Sequence, residues 1–124
     1  MKRITGIIGA MDEEVAKLIA QADITATENI AGMVFHVGRL GGADVIIVRS
    51  GMGKVNAGIC TQLLISRFGA THIINTGFAG ALSSEVALGN IVVSTEAVQH
   101  DFDVSPLGFK KGEIITGMVA FPAD

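Results

Sequence analysis

Tryptophan and tyrosine are absent from the 124 residues, and cysteine occurs once, at Cys60. A single thiol cannot build a disulfide framework, so the sequence predicts a reducing, cytoplasmic setting. Charge is also scarce: 17% of the residues are charged, the net charge is −3, and no basic stripe runs along any segment. That composition excludes the electrostatic footprint of a nucleic-acid binder. No apolar run approaches the length of a membrane-spanning helix. The opening "MKRITGIIGAM" sets positive charge before a short apolar stretch, as a secretory signal does, but Asp12, Glu13 and Glu14 stand where a signal needs small residues for cleavage. Internal repeats, low-complexity tracts and Ser/Pro-rich linkers are missing as well, so the sequence marks no domain boundary inside the chain.

What the sequence does contain is apolar surface and glycine: 49% of the residues are hydrophobic and 16 are glycine. "RITGIIGA" reads as a strand, followed by a helix over "DEEVAKLIAQA" with acids in its first turn and Val15, Leu18 and Ile19 on one face. "MVFHVGRLGGADVIIVRS" reads as two strands joined by a turn at Gly41-Gly42, and residues 54–68 as a second helix. "THIINTGFAG" and "GNIVVSTEAV" read as further strands, and the chain turns irregular from His100 onward. Runs such as "VIIV", "HIIN" and "NIVV" are apolar at successive positions, the mark of strands covered by helices on both faces of a sheet. Two helices are too few for that cover, and Pro122 suits the entry to another, so the pattern predicts the first part of a larger α/β domain.

Glycine turns follow three strand ends, at "GAMDEE", "SGMGKV" and "NTGFAG". In open α/β sheets ligands bind beyond the carboxyl ends of strands, so these turns can line one site, although glycines also simply end strands. Neither common phosphate motif is present. "SGMGKVNAG" lacks the four-residue gap and the Ser/Thr after lysine that a nucleotide-triphosphate loop requires, and also the third glycine of a dinucleotide fingerprint. Acids in a first helical turn complement the helix dipole, which accounts for Asp12, Glu13 and Glu14 without any chemistry. His100, Asp101 and Asp103 in "HDFDV" have no partner cluster that would make them metal ligands. His36 and His72 fall within strand patterns and read as structural.

Taken in order, "GIIGAMDEE", "SGMGKVNAG", "INTGFAGAL" and "GNIVVSTEAVQHDFDVSPLGF" resemble the N-terminal half of the bacterial 5'-methylthioadenosine/S-adenosylhomocysteine nucleosidases, over essentially the whole chain. The resemblance implies that residues 1–124 form the N-terminal portion of a single nucleosidase domain with the three-layer α/β sandwich of the nucleoside phosphorylases and nucleosidases. It further implies a homodimer with a shared pocket, and hydrolysis of an adenine N-glycosidic bond in methionine salvage without metal or cofactor. Glu14 matches the family's water-activating glutamate. Met11 and Met52 match positions lining the sugar and its alkylthio substituent, where a flexible thioether suits an irregular apolar group. Val104, Leu107 and Ile115 match positions that close the alkylthio pocket of the neighbouring subunit. Phe78 stands at a substrate position where the family often has serine.

"GAMDEE" also lacks the arginine with which related phosphorylases hold phosphate, and a carboxylate there favours water as the nucleophile. The family's adenine-protonating aspartate and ribose-binding glutamate belong to a C-terminal half with no counterpart in these residues. Hydrolysis of a related nucleoside such as futalosine, phosphorolysis, and an inactive half-domain serving assembly remain as alternatives.

Overall fold

The computed structural model describes residues 2–114 and 117–124. These fall into two compact units, one ending at Gly80 and the other running from Ala81 to Asp124.

The first unit is a five-stranded mixed sheet with one helix on each face. Its elements in chain order are β1 (Thr5–Gly9), α1 (Asp12–Gln21), β2 (Asp23–Ile30), β3 (Met33–Leu40), β4 (Ala43–Arg49), α2 (Lys54–Ser66) and β5 (His72–Asn75). The sheet order is β2-β3-β4-β1-β5. β1 lies at the centre of the parallel part, with Ile7 opposite Ile47 on one side and Ile74 on the other. β2, β3 and β4 form an antiparallel meander. Both of its hairpins turn on two residues with positive φ, Ala31-Gly32 and Gly41-Gly42. That geometry matches the twist of the flanking strands, and the glycine pair expected to turn the second hairpin does so.

Side chains alternate across the sheet and separate two apolar clusters. Ile8, Ile46 and Val48 face Cys60 and Leu64 of α2, together with Met33 and Phe35. Ile7, Val45 and Ile47 face Val15 of α1, with Leu18 and Ile19 beside them. This is the three-layer arrangement expected for successive apolar residues in β1 and β4. Phe35 stacks on Phe68 just beyond α2, with ring centroids 4.8 Å apart. Cys60 is fully enclosed, and burial pushes its thiol up to about 11.

The structure adds one strand, leaves one strand uncovered and corrects two expectations. "DITATENI" lacks the apolar run of the other strands, yet it forms β2: its polar residues suit a sheet edge, and the strand is held by pairing with β3. All four residues of β5 are exposed at the other edge of the sheet, the bare surface that too few covering helices leave. In the second unit, "GNIVVSTEAV" forms a strand only at β6 (Glu96–Val98). Ile91 is 94% exposed, and β-branched residues without a neighbouring strand do not make a sheet. Pro122 ends β7 (Ala120–Pro122), which pairs antiparallel with β6, instead of opening a helix. Among its described residues the second unit otherwise carries one 3-10 turn, Ser105–Leu107. Among the described residues no helix is long and apolar enough to cross a membrane.

Candidate active site

β1, β4 and β5 run parallel, so their carboxyl ends at Gly9, Arg49 and Asn75 share one edge of the sheet. The chain leaves that edge through the three glycine turns. Hydrogen bonds from Ser50 N–H to the Gly9 carbonyl and from Thr76 N–H to the Ile8 carbonyl, both 2.9 Å, fix the turns after β4 and β5 against β1.

Glu14 occupies the third position of α1 and reaches back over the helix start. Its Oε2 accepts the N–H groups of Ala10 at 2.6 Å and Met11 at 3.0 Å. Its Oε1 accepts the N–H of Phe78, from the turn after β5, at 3.1 Å. Three backbone donors thus converge on one carboxylate from two different strand ends. The Phe78 N–H, followed by that of Met11 and then that of Ala10, holds the Glu14 carboxyl below its ordinary 4.5 against an opposing contribution from burial. Glu14 is therefore ionised at neutral pH, in one orientation. Asp12 and Glu13, its neighbours in the same turn, make no such contact; Asp12 pairs instead with Arg49 at 3.1 Å on the surface.

Met11, Met52 and Phe78 lie on the same three turns and leave apolar side chains open to solvent, Met52 at 74% and Phe78 at 75% exposure. Asn56 of α2 braces the middle turn by donating its side-chain N–H to the Met52 carbonyl at 2.7 Å. The structure thus brings four of the expected site residues, Met11, Glu14, Met52 and Phe78, to one edge of the first unit. The Phe78 contact with Glu14 is made by the backbone, so phenylalanine in place of serine leaves it intact.

Val104 and Leu107 belong to the second unit, where Val104 precedes the 3-10 turn and Leu107 ends it, the Leu107 N–H donating to the Val104 carbonyl at 2.9 Å. Ile115 lies outside the described residues. Asp103 in the same segment accepts the Ser105 N–H at 2.9 Å, and bonds from the Ser105 side chain and backbone lower its carboxyl from the ordinary 3.8. That is the chemistry of a capped turn. No group of three or more His, Cys, Asp or Glu side chains placed to hold a metal occurs among the described residues.

The close approach of two glycines to Glu14 was not read from the sequence. A Cβ at Gly9 would stand 3.0 Å from the Glu14 Cβ, and one at Gly77 would stand 2.7 Å from Glu14 Oε1. Their only sequence signal was glycine after a strand, which ordinary strand ends share.

Comparison with known proteins gives the family and the fold. A sequence model described as the phosphorylase superfamily matches residues 4–124. A 5'-methylthioadenosine/S-adenosylhomocysteine nucleosidase of Shewanella loihica is 46% identical over 96% of this chain and 52% of its own length. Among solved structures, a nucleosidase of the same kind from Colwellia psychrerythraea in complex with adenine superposes with a TM-score of 0.92 at 41% identity, over 98% of this chain and 50% of that one. An S-adenosylhomocysteine nucleosidase from Streptococcus pyogenes in complex with 5-methylthiotubericidin gives 0.92 at 35% identity, over 99% of this chain and 52% of that one. The chain spans about half the length of the curated relatives it matches.

Proposed function

For a chain that belongs to the phosphorylase superfamily, we propose the role of N-terminal portion of a single-domain nucleosidase that hydrolyses 5'-methylthioadenosine and S-adenosylhomocysteine, releasing adenine. The observation that carries this reading is the Glu14 carboxylate, ionised and fixed by three backbone N–H groups at the carboxyl edge of the parallel strands.

A carboxylate offers about four acceptor positions. Oε2 has two donors and Oε1 has one, so the free position on Oε1 is where a water is held. As the bond from C1' to the adenine nitrogen lengthens, the sugar gains oxocarbenium character, as in glycoside hydrolysis. The water oxygen then bonds to C1', and its proton becomes acidic as that bond forms. A base whose pKa is lowered is still strong enough to accept it at that stage. Negative charge at Glu14 also repels phosphate and favours the developing positive charge, which selects hydrolysis over phosphorolysis.

Met11, Met52 and Phe78 supply apolar surface for the sugar and its alkylthio group. Val104, Leu107 and Ile115 close the corresponding pocket of a second subunit in a homodimer. The acid that protonates departing adenine belongs to the part of the relatives' length that these residues do not match. The enzyme acts in the cytoplasm, in methionine salvage. Full-length enzyme should release free adenine from methylthioadenosine in phosphate-free buffer, with no sugar-1-phosphate formed. Strict dependence on added phosphate would overturn the hydrolytic reading.

A further inference from the structure

We propose that Gly77 is a positioning residue for Glu14: the side chain it lacks leaves the slot that the carboxylate occupies, and the peptide that follows it supplies the N–H that fixes Oε1.

Glycine is not needed at position 77 for backbone reasons. Gly77 is absent from the glycines with positive φ, so its conformation is open to any residue. What it supplies is space. A Cβ there would stand 2.7 Å from Glu14 Oε1, 3.2 Å from its Cδ and 3.6 Å from Oε2, so a methyl group and the carboxylate cannot both keep their places. The atoms in conflict are the far end of a flexible side chain, so the carboxylate moves and the backbone need not. The first contact to go is the bond from Phe78 N–H to Oε1, because Phe78 is the next residue and its donor is aimed through the same slot. Oε1 is also the oxygen with a free position for water.

Gly9 differs in kind. A Cβ there would meet Val15 Cγ1 at 2.6 Å as well as the Glu14 Cβ, so substitution would disturb the packing of α1 on the sheet. Gly77 is thus the position where the placing of Glu14 can be altered while the fold is kept.

The catalytic consequence rests on the nucleosidase reading, but the positioning itself does not. In full-length enzyme, the Glu14 carboxyl is titrated by carbon-13 NMR and adenine release is followed in parallel, for the parent, Gly77→Ala and Gly58→Ala. Gly58 lies within α2 with nothing near its Cβ direction, which makes it the matched glycine-to-alanine control. Gly77→Ala should retain its fold, move the Glu14 titration up toward its ordinary value and expose the Phe78 amide to faster exchange. It should also lower kcat by about 10²-fold, the scale of an ångström-sized misplacement, with KM little changed. Gly58→Ala should leave the titration where it is. In a Glu14→Asp background, whose carboxylate is withdrawn by one methylene, Gly77→Ala should have a smaller effect. An unchanged titration in an active enzyme, or collapse of the Gly77→Ala fold, overturns the positioning role. A shifted titration in a parent enzyme that releases no adenine overturns the nucleosidase reading alone.

Discussion

Replacing Glu14 by glutamine changes one group from acceptor to donor while keeping its size. In the parent, Oε1 and Oε2 accept three backbone N–H groups at 2.6, 3.0 and 3.1 Å. An amide has one oxygen, which can accept two donors, and an NH2 that accepts none. The favourable orientation turns the oxygen toward Ala10 and Met11, which leaves the NH2 facing the Phe78 N–H, donor against donor. The water position on Oε1 is then inverted, since an NH2 offers hydrogen where the water needs somewhere to send its own. Glu14→Gln in full-length enzyme should therefore lower kcat for adenine release by about 10²- to 10⁴-fold, the range of a positioned general base. KM should change little, because in the proposed reaction Glu14 acts on the attacking water and not on the purine. Initial rates of adenine release from methylthioadenosine in phosphate-free buffer, with a thermal melt to verify folding, decide the matter. Near-normal turnover would show that Glu14 only ties the helix start to the strand ends, as an acid in a first helical turn can do without any catalytic part.

The pH dependence has a definite sign. The Glu14 pKa is lowered from 4.5 in the folded state, so its contribution to stability is complete above the unfolded value and is lost as pH falls through the folded one. Urea titrations across the acid range should show a loss for the parent that is smaller in Glu14→Gln. Leu64 has no exposed surface and sits between Ile8, Phe35 and Cys60, so Leu64→Ala should destabilise the fold by about 2 to 5 kcal/mol, measured by urea denaturation; a change below the low end would mean that the cluster collapses onto the vacated space. The 124-residue chain by itself should release no adenine and should associate instead of sedimenting as a compact monomer, because Ile73 and Ile74 on the edge strand and Leu82, Leu88, Ile91 and Val93 beyond it are all exposed.

The elements legible in the sequence are those whose signal is local. β1, β3, β4 and both helices follow from runs of apolar residues punctuated by glycine, and the Gly41-Gly42 hairpin from its turn chemistry. β2 escaped because an edge strand is made by its partner more than by its own composition: Asp23, Thr25, Thr27 and Asn29 are polar and exposed while β3 supplies the pairing. The reverse error occurred at Ile91–Val93, where β-branched residues have the propensity for a strand and no neighbour to pair with among the described residues. Glu14 became visible only through the ordered motifs around it, since its helix-dipole role explains an acid there equally well. Gly77 was visible only as one glycine of the "NTGFAG" turn, with nothing to mark its approach to Glu14. Its neighbour Phe78 is 64 residues from Glu14 in sequence, and only the parallel pairing of β1 with β5 brings the two turns together.

Cys60 gives the molecule a built-in reporter. It is the chain's only thiol, it is sealed between α2 and the sheet, and its high pKa leaves almost none of it as the reactive thiolate at neutral pH. An alkylating reagent can therefore label it only through excursions that lift α2 from β1 and β4. Under conditions where closing outpaces modification, the labelling rate, set against that of an exposed thiol, reads the free energy of opening at α2 instead of for the whole molecule. Followed by intact mass with and without a nucleoside analogue, the same single modification would tell whether occupation of the strand-end site tightens the far side of the sheet.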